Sequence, residues 1–269
     1  MSERTLAAQC IGVIALDHGR LAAEIEMIRG FEMQPCVGYA TGGWSRCVLL
    51  VRDKQDGKVM TTDQAAALPY IVEQIRVTFK PELVDCAYIF AAHRGGYVRP
   101  HCDWLGTRPL FTRLHIPLQT NGQCFNSEED RVYHMRVGEI WFVDASLPHS
   151  GGCFSEETRL HLIIDLKPGT PLPDAFRDRA TYTPSGSQPL IERSPFTAEH
   201  LAAIHGLTTI ASDMNLPLML DLLGTIHFEK RVSCAAVYDW LLDIARGTES
   251  PDLIHRAGEF RQRYLSPFG

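Results

Sequence analysis

Arg99-Pro100-His101-Cys102-Asp103-Trp104, Gly138-Glu139-Ile140-Trp141-Phe142-Val143-Asp144-Ala145-Ser146-Leu147-Pro148-His149-Ser150 and Thr158-Arg159-Leu160-His161-Leu162-Ile163-Ile164-Asp165 are three blocks of one stretch, and its reading decides the fold. From residue 83 onward the chain consists of short β-prone runs with turn residues between them. Strands are expected at 84–91, near 97–103, at 111–119, 131–135, 139–143 and 159–166, with a turn at Arg94-Gly95-Gly96. Many short strands at close spacing form a sandwich or a barrel.

Upstream, residues 10–16 read as a strand. Asp17 caps a helix through about residue 29, with Leu21, Ile25 and Ile28 on one face and Gly30 as its stop. Residues 42–51 form a second strand and 52–58 a turn. Helical spacing returns over 62–79, where Pro69 divides a short turn from a longer helix. Downstream, residues 167–196 hold Pro168, Pro171, Pro173, Pro184, Pro189 and Pro195, the composition of a segment that crosses the surface. The period then becomes helical, over about 198–211, 216–229, 235–245 and 251–264. The division expected is a β domain with N-terminal flanking helices (1–170), a proline-rich linker (171–196) and a small C-terminal helical module (197–269).

Composition narrows the partners. The 269 residues carry 26 basic and 32 acidic side chains, with no basic stripe to track a phosphate backbone. No apolar run is long enough to cross a membrane, and the first residues do not read as a secretory signal. The eight cysteines form no Cys-x-x-Cys pair and are expected as reduced thiols in the cytoplasm. Apolar positions that look exposed on the C-terminal helices allow a homodimer.

His101 and Asp103 share one strand face because strand side chains alternate; Cys102 points the other way. His149 follows Leu147-Pro148, and proline is poor inside a ladder, so it belongs at a strand end or turn where it can point into a mouth. Two histidines and a carboxylate leave open positions on ferrous iron, yet zinc uses the same ligand types, so spacing does not choose the metal. Thr112-Arg113-Leu114-His115-Ile116 echoes Thr158-Arg159-Leu160-His161-Leu162. In each, arginine and histidine share one face and leucine takes the other. Inward arginines would seek an anionic ligand; inward leucines would leave the arginines in solvent. Alternation alone does not separate these readings, and the metal pair upstream favours the first. His115 and His161 are candidates for the pocket wall. Trp44, Trp141 and Phe142 are candidates for apolar shielding, with ordinary core packing as the alternative.

Taken together, Arg99 to Asp103, Phe111 to His115, Asn126 to Asp130, Tyr133 to Ser150 and Thr158 to Asp165 resemble the bacterial free-proline hydroxylases. These belong to the aspartyl/asparaginyl β-hydroxylase-like branch of the iron(II)- and 2-oxoglutarate-dependent dioxygenases. Glu192 to Phe196 and Val237 to Leu241 are similar to that family's C-terminal part. The resemblance implies a mainly β fold with helices, a double-stranded β-helix (a cupin-like jelly roll) plus a small helical module. It implies Fe(II) on His101, Asp103 and His149, 2-oxoglutarate and O2 as co-substrates, and Arg159 on the far carboxylate of 2-oxoglutarate. It implies Arg113 on the substrate carboxylate, with hydroxylation of a C–H bond in L-proline or a similar free imino or amino acid. In one respect the chain departs from that pattern. The family's arginine about ten residues before the His-x-Asp matches Ala91 here, so Arg94, Arg99 and Arg108 are candidates to replace it, and Trp104 and His115 complete the expected substrate contacts. Two other readings are the same chemistry, ending in hydroxylation or desaturation, on another amino acid, a peptide side chain or a natural-product intermediate, and a non-enzymatic cupin-like metal- or ligand-binding protein.

Overall fold

A computed structural model describes residues 8–36, 38, 40–41, 43–53, 55–103, 112–185 and 189–265. In chain order the elements begin with β1 (Gln9–Val13), α1 (His18–Arg29), β2 (Gln34–Pro35), β3 (Trp44–Arg52) and β4 (Val59–Thr61). They continue with α2 (Asp63–Ala66), α3 (Pro69–Thr78), β5 (Val84–Ala92), β6 (Tyr97–His101), β7 (Thr112–Gln119), β8 (Cys124–Glu128) and β9 (Arg131–Tyr133). Then come β10 (Glu139–Phe142), β11 (His149–Cys153), β12 (Arg159–Leu166), α4 (Leu172–Ala175) and β13 (Ser194–Pro195). The chain closes with α5 (Ala198–Gly206), α6 (Leu216–Leu223), β14 (Lys230–Arg231), α7 (Ala236–Gly247) and α8 (Pro251–Leu265).

The strands form a jelly roll of two sheets. The larger runs β1-β10-β7-β12-β5-β3-β2, with β4 added to β3, and the smaller runs β6-β11-β8-β9. All pairings in both are antiparallel. Alternation gives the large sheet two chemically distinct faces. Leu114, Ile116, Ala87, Ile89, Ala91, Leu162 and Ile164 form one core with Leu21, Ile25 and Ile28 of α1 and Ile71 and Ile75 of α3. Burying each leucine or isoleucine there contributes roughly 1.5–3 kcal/mol. The leucines of the two echoed motifs therefore face helices, and their arginines and histidines face the interior between the sheets. Glu24 fixes the helix layer. It is buried on α1 and accepts the N–H groups of Tyr70 and Ile71 (2.6 and 2.8 Å), capping α3, whose own cap residue Leu68 offers no side-chain bond.

Pro69 divides α2 from α3, as its position predicts. Several elements differ from expectation. The helix expected over 216–229 stops at Leu223, and Ile226–Phe228 form a 3₁₀ turn. At the end of this helix Gly224 passes close to β6, where a Cβ would lie 2.5 Å from the Tyr97 hydroxyl. Strand β8, and β11 as a strand beginning at His149, were not expected. Beyond the barrel, the proline-rich segment is tied to the sheets, with Ile191 donating to Val132 O and Thr183 to Ile11 O. The last four helices enclose their own core around Trp240, Leu241 and Ile244.

Candidate active site

His101 ends β6 and His149 begins β11, and the two residues face each other in the pairing of these strands. Their rings lie 4.3 Å apart. Asp103 follows two residues after His101, its Oδ1 3.3 Å from His101 Nε2. One ligand atom from each of His101, Asp103 and His149 falls within 4.8 Å of the others, a set that could hold a metal ion. Both rings are turned by their own backbone. His101 Nδ1 meets Arg99 O at 2.8 Å and His149 Nδ1 meets Leu147 O at 2.9 Å. A carbonyl accepts only from N–H, so Nδ1 carries the proton and Nε2 keeps its lone pair for the centre.

The electrostatics favour deprotonated ligands. Burial pushes His149 down to about 4, so the ring is neutral at pH 7. Burial acts to raise the Asp103 carboxyl. It is outweighed by the two imidazoles, which carry a proton and a charge at the acid pH where Asp103 titrates, and by the Arg113 guanidinium, and Asp103 is held well below the ordinary carboxylate range. Arg113 Nη1 donates to Asp103 Oδ2 (2.8 Å), while its Nε and Nη2 fork onto Asp165 (2.8 and 3.1 Å). Asp165 also accepts from the Tyr88 hydroxyl at 3.4 Å.

A cavity of about 420 Å³ lies between the sheets and is lined by all three of the clustered residues. That volume is within the ordinary range for a small-molecule site. Arg159, on β12, forms part of its wall and is 4% exposed. Its guanidinium donates to His161 Nε2 (2.9 Å), Asn126 Oδ1 (2.6 Å) and Phe125 O (3.3 Å), and lies 5.7 Å from the centre of the Trp44 ring. Among the described residues it has no carboxylate partner. Burial pulls it down to about 10, so it is still a cation at pH 7. A Cβ on Gly151 would come 3.1 Å from Arg159 Nη1, so this glycine leaves the space in which the guanidinium lies. His115 lines the same cavity, half-buried, its Nδ1 without a hydrogen-bond partner among the described residues and its ring pushed well below the ordinary value by burial.

The structure thus brings His101, Asp103, His149, Arg113, Arg159, His115 and Trp44 to one cavity. It does not bring Arg94 or Arg99 there. Arg94 is mostly exposed and paired with Glu156 on the surface, and Arg99 forks onto Asp221 of α6 at 2.6 and 3.0 Å. Trp141 stacks on Tyr133 and Phe142 packs on the helix-covered core, so neither lines the cavity. Trp104 and Arg108 lie outside the described residues. Ala91 is the wrong position at which to look for a cavity arginine, because it belongs to the core beneath the helices. The cavity-facing residues of β5 are Tyr88, Phe90 and Ala92.

Sequence reasoning missed Asp165, Arg46 and Asn126. Asp165 was legible in principle, three alternations beyond Arg159 on the same strand. The C-terminal helices reach the site from behind. Tyr238 Oη donates to Pro100 O (2.5 Å), Cys102 N donates to Tyr264 O (2.8 Å) and Cys234 Sγ donates to Pro148 O (3.5 Å).

A jelly roll with a His-Asp-His cluster and a buried arginine on one cavity is the arrangement of a 2-oxoglutarate-dependent dioxygenase. Residues 12–168 match the aspartyl/asparaginyl β-hydroxylase family, and the chain belongs to that family. Residues 173–267 match the model described as L-proline 3-hydroxylase, C-terminal. An L-proline cis-4-hydroxylase of Rhizobium meliloti (strain 1021) is 32% identical over 271 residues, covering 97% of this chain and 96% of that protein. The L-proline cis-3-hydroxylases 1 and 2 of Streptomyces sp are 29% and 28% identical, each covering 95% of this chain and 94% of the relative.

Proposed function

We propose that this enzyme is an Fe(II)- and 2-oxoglutarate-dependent hydroxylase of a free imino or amino acid, L-proline or a close relative. The observation that carries the reading is Arg159: a buried guanidinium with hydrogen bonds only to neutral groups, on the wall it shares with His101, Asp103 and His149. A buried cation without a counter-ion is costly, and a dicarboxylate co-substrate relieves that cost. The two-nitrogen, one-oxygen donor set fits ferrous iron, and the orphaned His115 Nδ1 offers a further polar contact in the cavity. Iron and 2-oxoglutarate, when bound, supply oxygen activation, in which O2 and 2-oxoglutarate become succinate, CO2 and the oxygen atom inserted into a substrate C–H bond.

The protein's part is position. Leu147 O and Arg99 O aim the two imidazoles, and Arg113 orients Asp103. Arg159 anchors the far carboxylate, and Trp44 keeps water from that guanidinium. L-proline as substrate rests on the relatives that match along nearly the whole chain. The eight free thiols suit a reducing cytoplasm. Exposed Met214, Leu218 and Leu222 support a homodimer meeting at α6. No helix among the described residues is long and apolar enough to cross a membrane.

The test is an anaerobic titration with Fe(II) and 2-oxoglutarate, followed by free amino acids with succinate detection. A visible charge-transfer band and succinate release stimulated by L-proline are expected. Absence of the band overturns the co-substrate assignment. A band without stimulation by any free amino acid overturns the substrate.

A further inference from the structure

Three arginines line the cavity: Arg46, Arg113 and Arg159. Two are committed. Arg113 is forked onto Asp165 and holds Asp103, and Arg159 is the buried cation assigned above to the co-substrate. Arg46 is exposed at the cavity and, among the described residues, has no ion pair or hydrogen bond. Across the sheet it stands between Gln34 of β2 and Phe90 of β5, neither of them acidic. Asp103, already paired, is the one carboxylate among the described residues lining the cavity. The cavity therefore carries more positive charge than one dicarboxylate would meet once a divalent metal is added.

Register fixes where this cation stands. Arg46 pairs with Phe90 across β3 and β5, and Trp44 pairs with Ala92. Both β3 residues face the cavity, two positions apart, a rise of about 7 Å. Trp44 carries Arg159 against its ring. Arg46 thus lies one step along the same face from the co-substrate end, toward Tyr88. Strand β5 offers no cation to this face, since Tyr88, Phe90 and Ala92 are its cavity residues.

We infer that Arg46 receives the substrate's carboxylate, supplying from β3 the cation that β5 lacks, and so restricts the enzyme to free acids over amides and peptides. The assignment rests on the hydroxylase reading above. The guanidinium fork matches a carboxylate in two parallel hydrogen bonds, and an exposed arginine at an apolar rim loses little on meeting it.

The experiment is anaerobic calorimetry on the enzyme loaded with Fe(II) and 2-oxoglutarate, with L-proline and L-prolinamide as probes, for wild type, Arg46→Gln and Arg46→Lys. Wild type should bind L-proline more tightly than the amide by about tenfold or more, the worth of a charge-assisted bond. Arg46→Gln should weaken L-proline by that factor and leave the amide within about twofold, while Arg46→Lys should recover part of the loss. Affinity for 2-oxoglutarate should stay within about twofold, because Arg159 anchors it. Equal weakening of both probes shows a structural role and overturns the inference, as does Arg46→Gln that discriminates like wild type. If wild type gives the charge-transfer band but binds neither probe, Arg46 as a receptor for a free carboxylate fails while the co-substrate reading stands. If no band forms, both fall.

Discussion

Asp165 stands directly across the β7–β12 pairing from Arg113 and takes two of its N–H groups. The same arginine reaches Asp103, so one cross-strand ion pair in the large sheet sets the carboxylate of the His-Asp-His cluster. Asp165→Asn should leave the three clustered residues in place yet weaken Fe(II) or Mn(II) binding by about 10- to 100-fold, the usual worth of a group that orients a ligand. Equilibrium dialysis measures it. Unchanged metal affinity would show that Arg113 holds Asp103 without help.

Arg159→Met should give opposite signs for two properties. Affinity for 2-oxoglutarate should fall by about 100-fold or more, because both bonds of a charge-assisted fork are lost. Stability of the metal-free protein should hold or rise by about 1 kcal/mol, because the native cation is buried with neutral partners only. Calorimetric binding and urea unfolding separate the two. A large loss of stability would show that the bonds to Asn126 and His161 already compensate the buried charge.

Gly151→Ala places a methyl group 3.1 Å from Arg159 Nη1. The guanidinium must give way by a few tenths of an ångström. We expect the KM for 2-oxoglutarate to rise about tenfold, with the KM for the amino acid moving far less. Steady-state kinetics with each varied in turn reads the split.

Acid should destabilise the metal-free protein through its buried histidines. His227, between Ser127 Oγ and Gly224 O, is pushed by burial from 6.5 down to about 3. Below pH 6.5 the unfolded chain takes up a proton that the folded chain refuses. Its contribution is therefore complete above about pH 6.5 and is lost as pH falls toward 3. At pH 5 the loss from this residue is about 2 kcal/mol. Urea midpoints at pH 7.5 and 5 measure it, and His227→Gln should flatten the slope by that amount.

Much of the site was legible because strand alternation is so regular. His101 with Asp103, and Arg159 with His161, could be placed on shared faces from numbering alone. Which face looks inward was not legible, since the large sheet is buried on both sides and the leucines had a helix layer to pack against. The same ambiguity misdirected attention to Ala91: one residue along a strand is the difference between core and cavity. Strand β8 escaped because Cys124-Phe125-Asn126-Ser127-Glu128 buries polar residues on both faces, leaving no apolar rhythm. Arg46 was hidden in an apolar run whose partner strand only the register reveals.

The bonds from Tyr238, Tyr264 and Cys234 fall on Pro100, Cys102 and Pro148, residues adjoining the two histidines. Half of the centre is thus gripped by a part of the chain that never enters the cavity. Exchanging the C-terminal helices between relatives would exchange active-site geometry, although no lining residue changed. Searches for variants with altered regiochemistry have as much purchase on that rear contact as on the cavity wall.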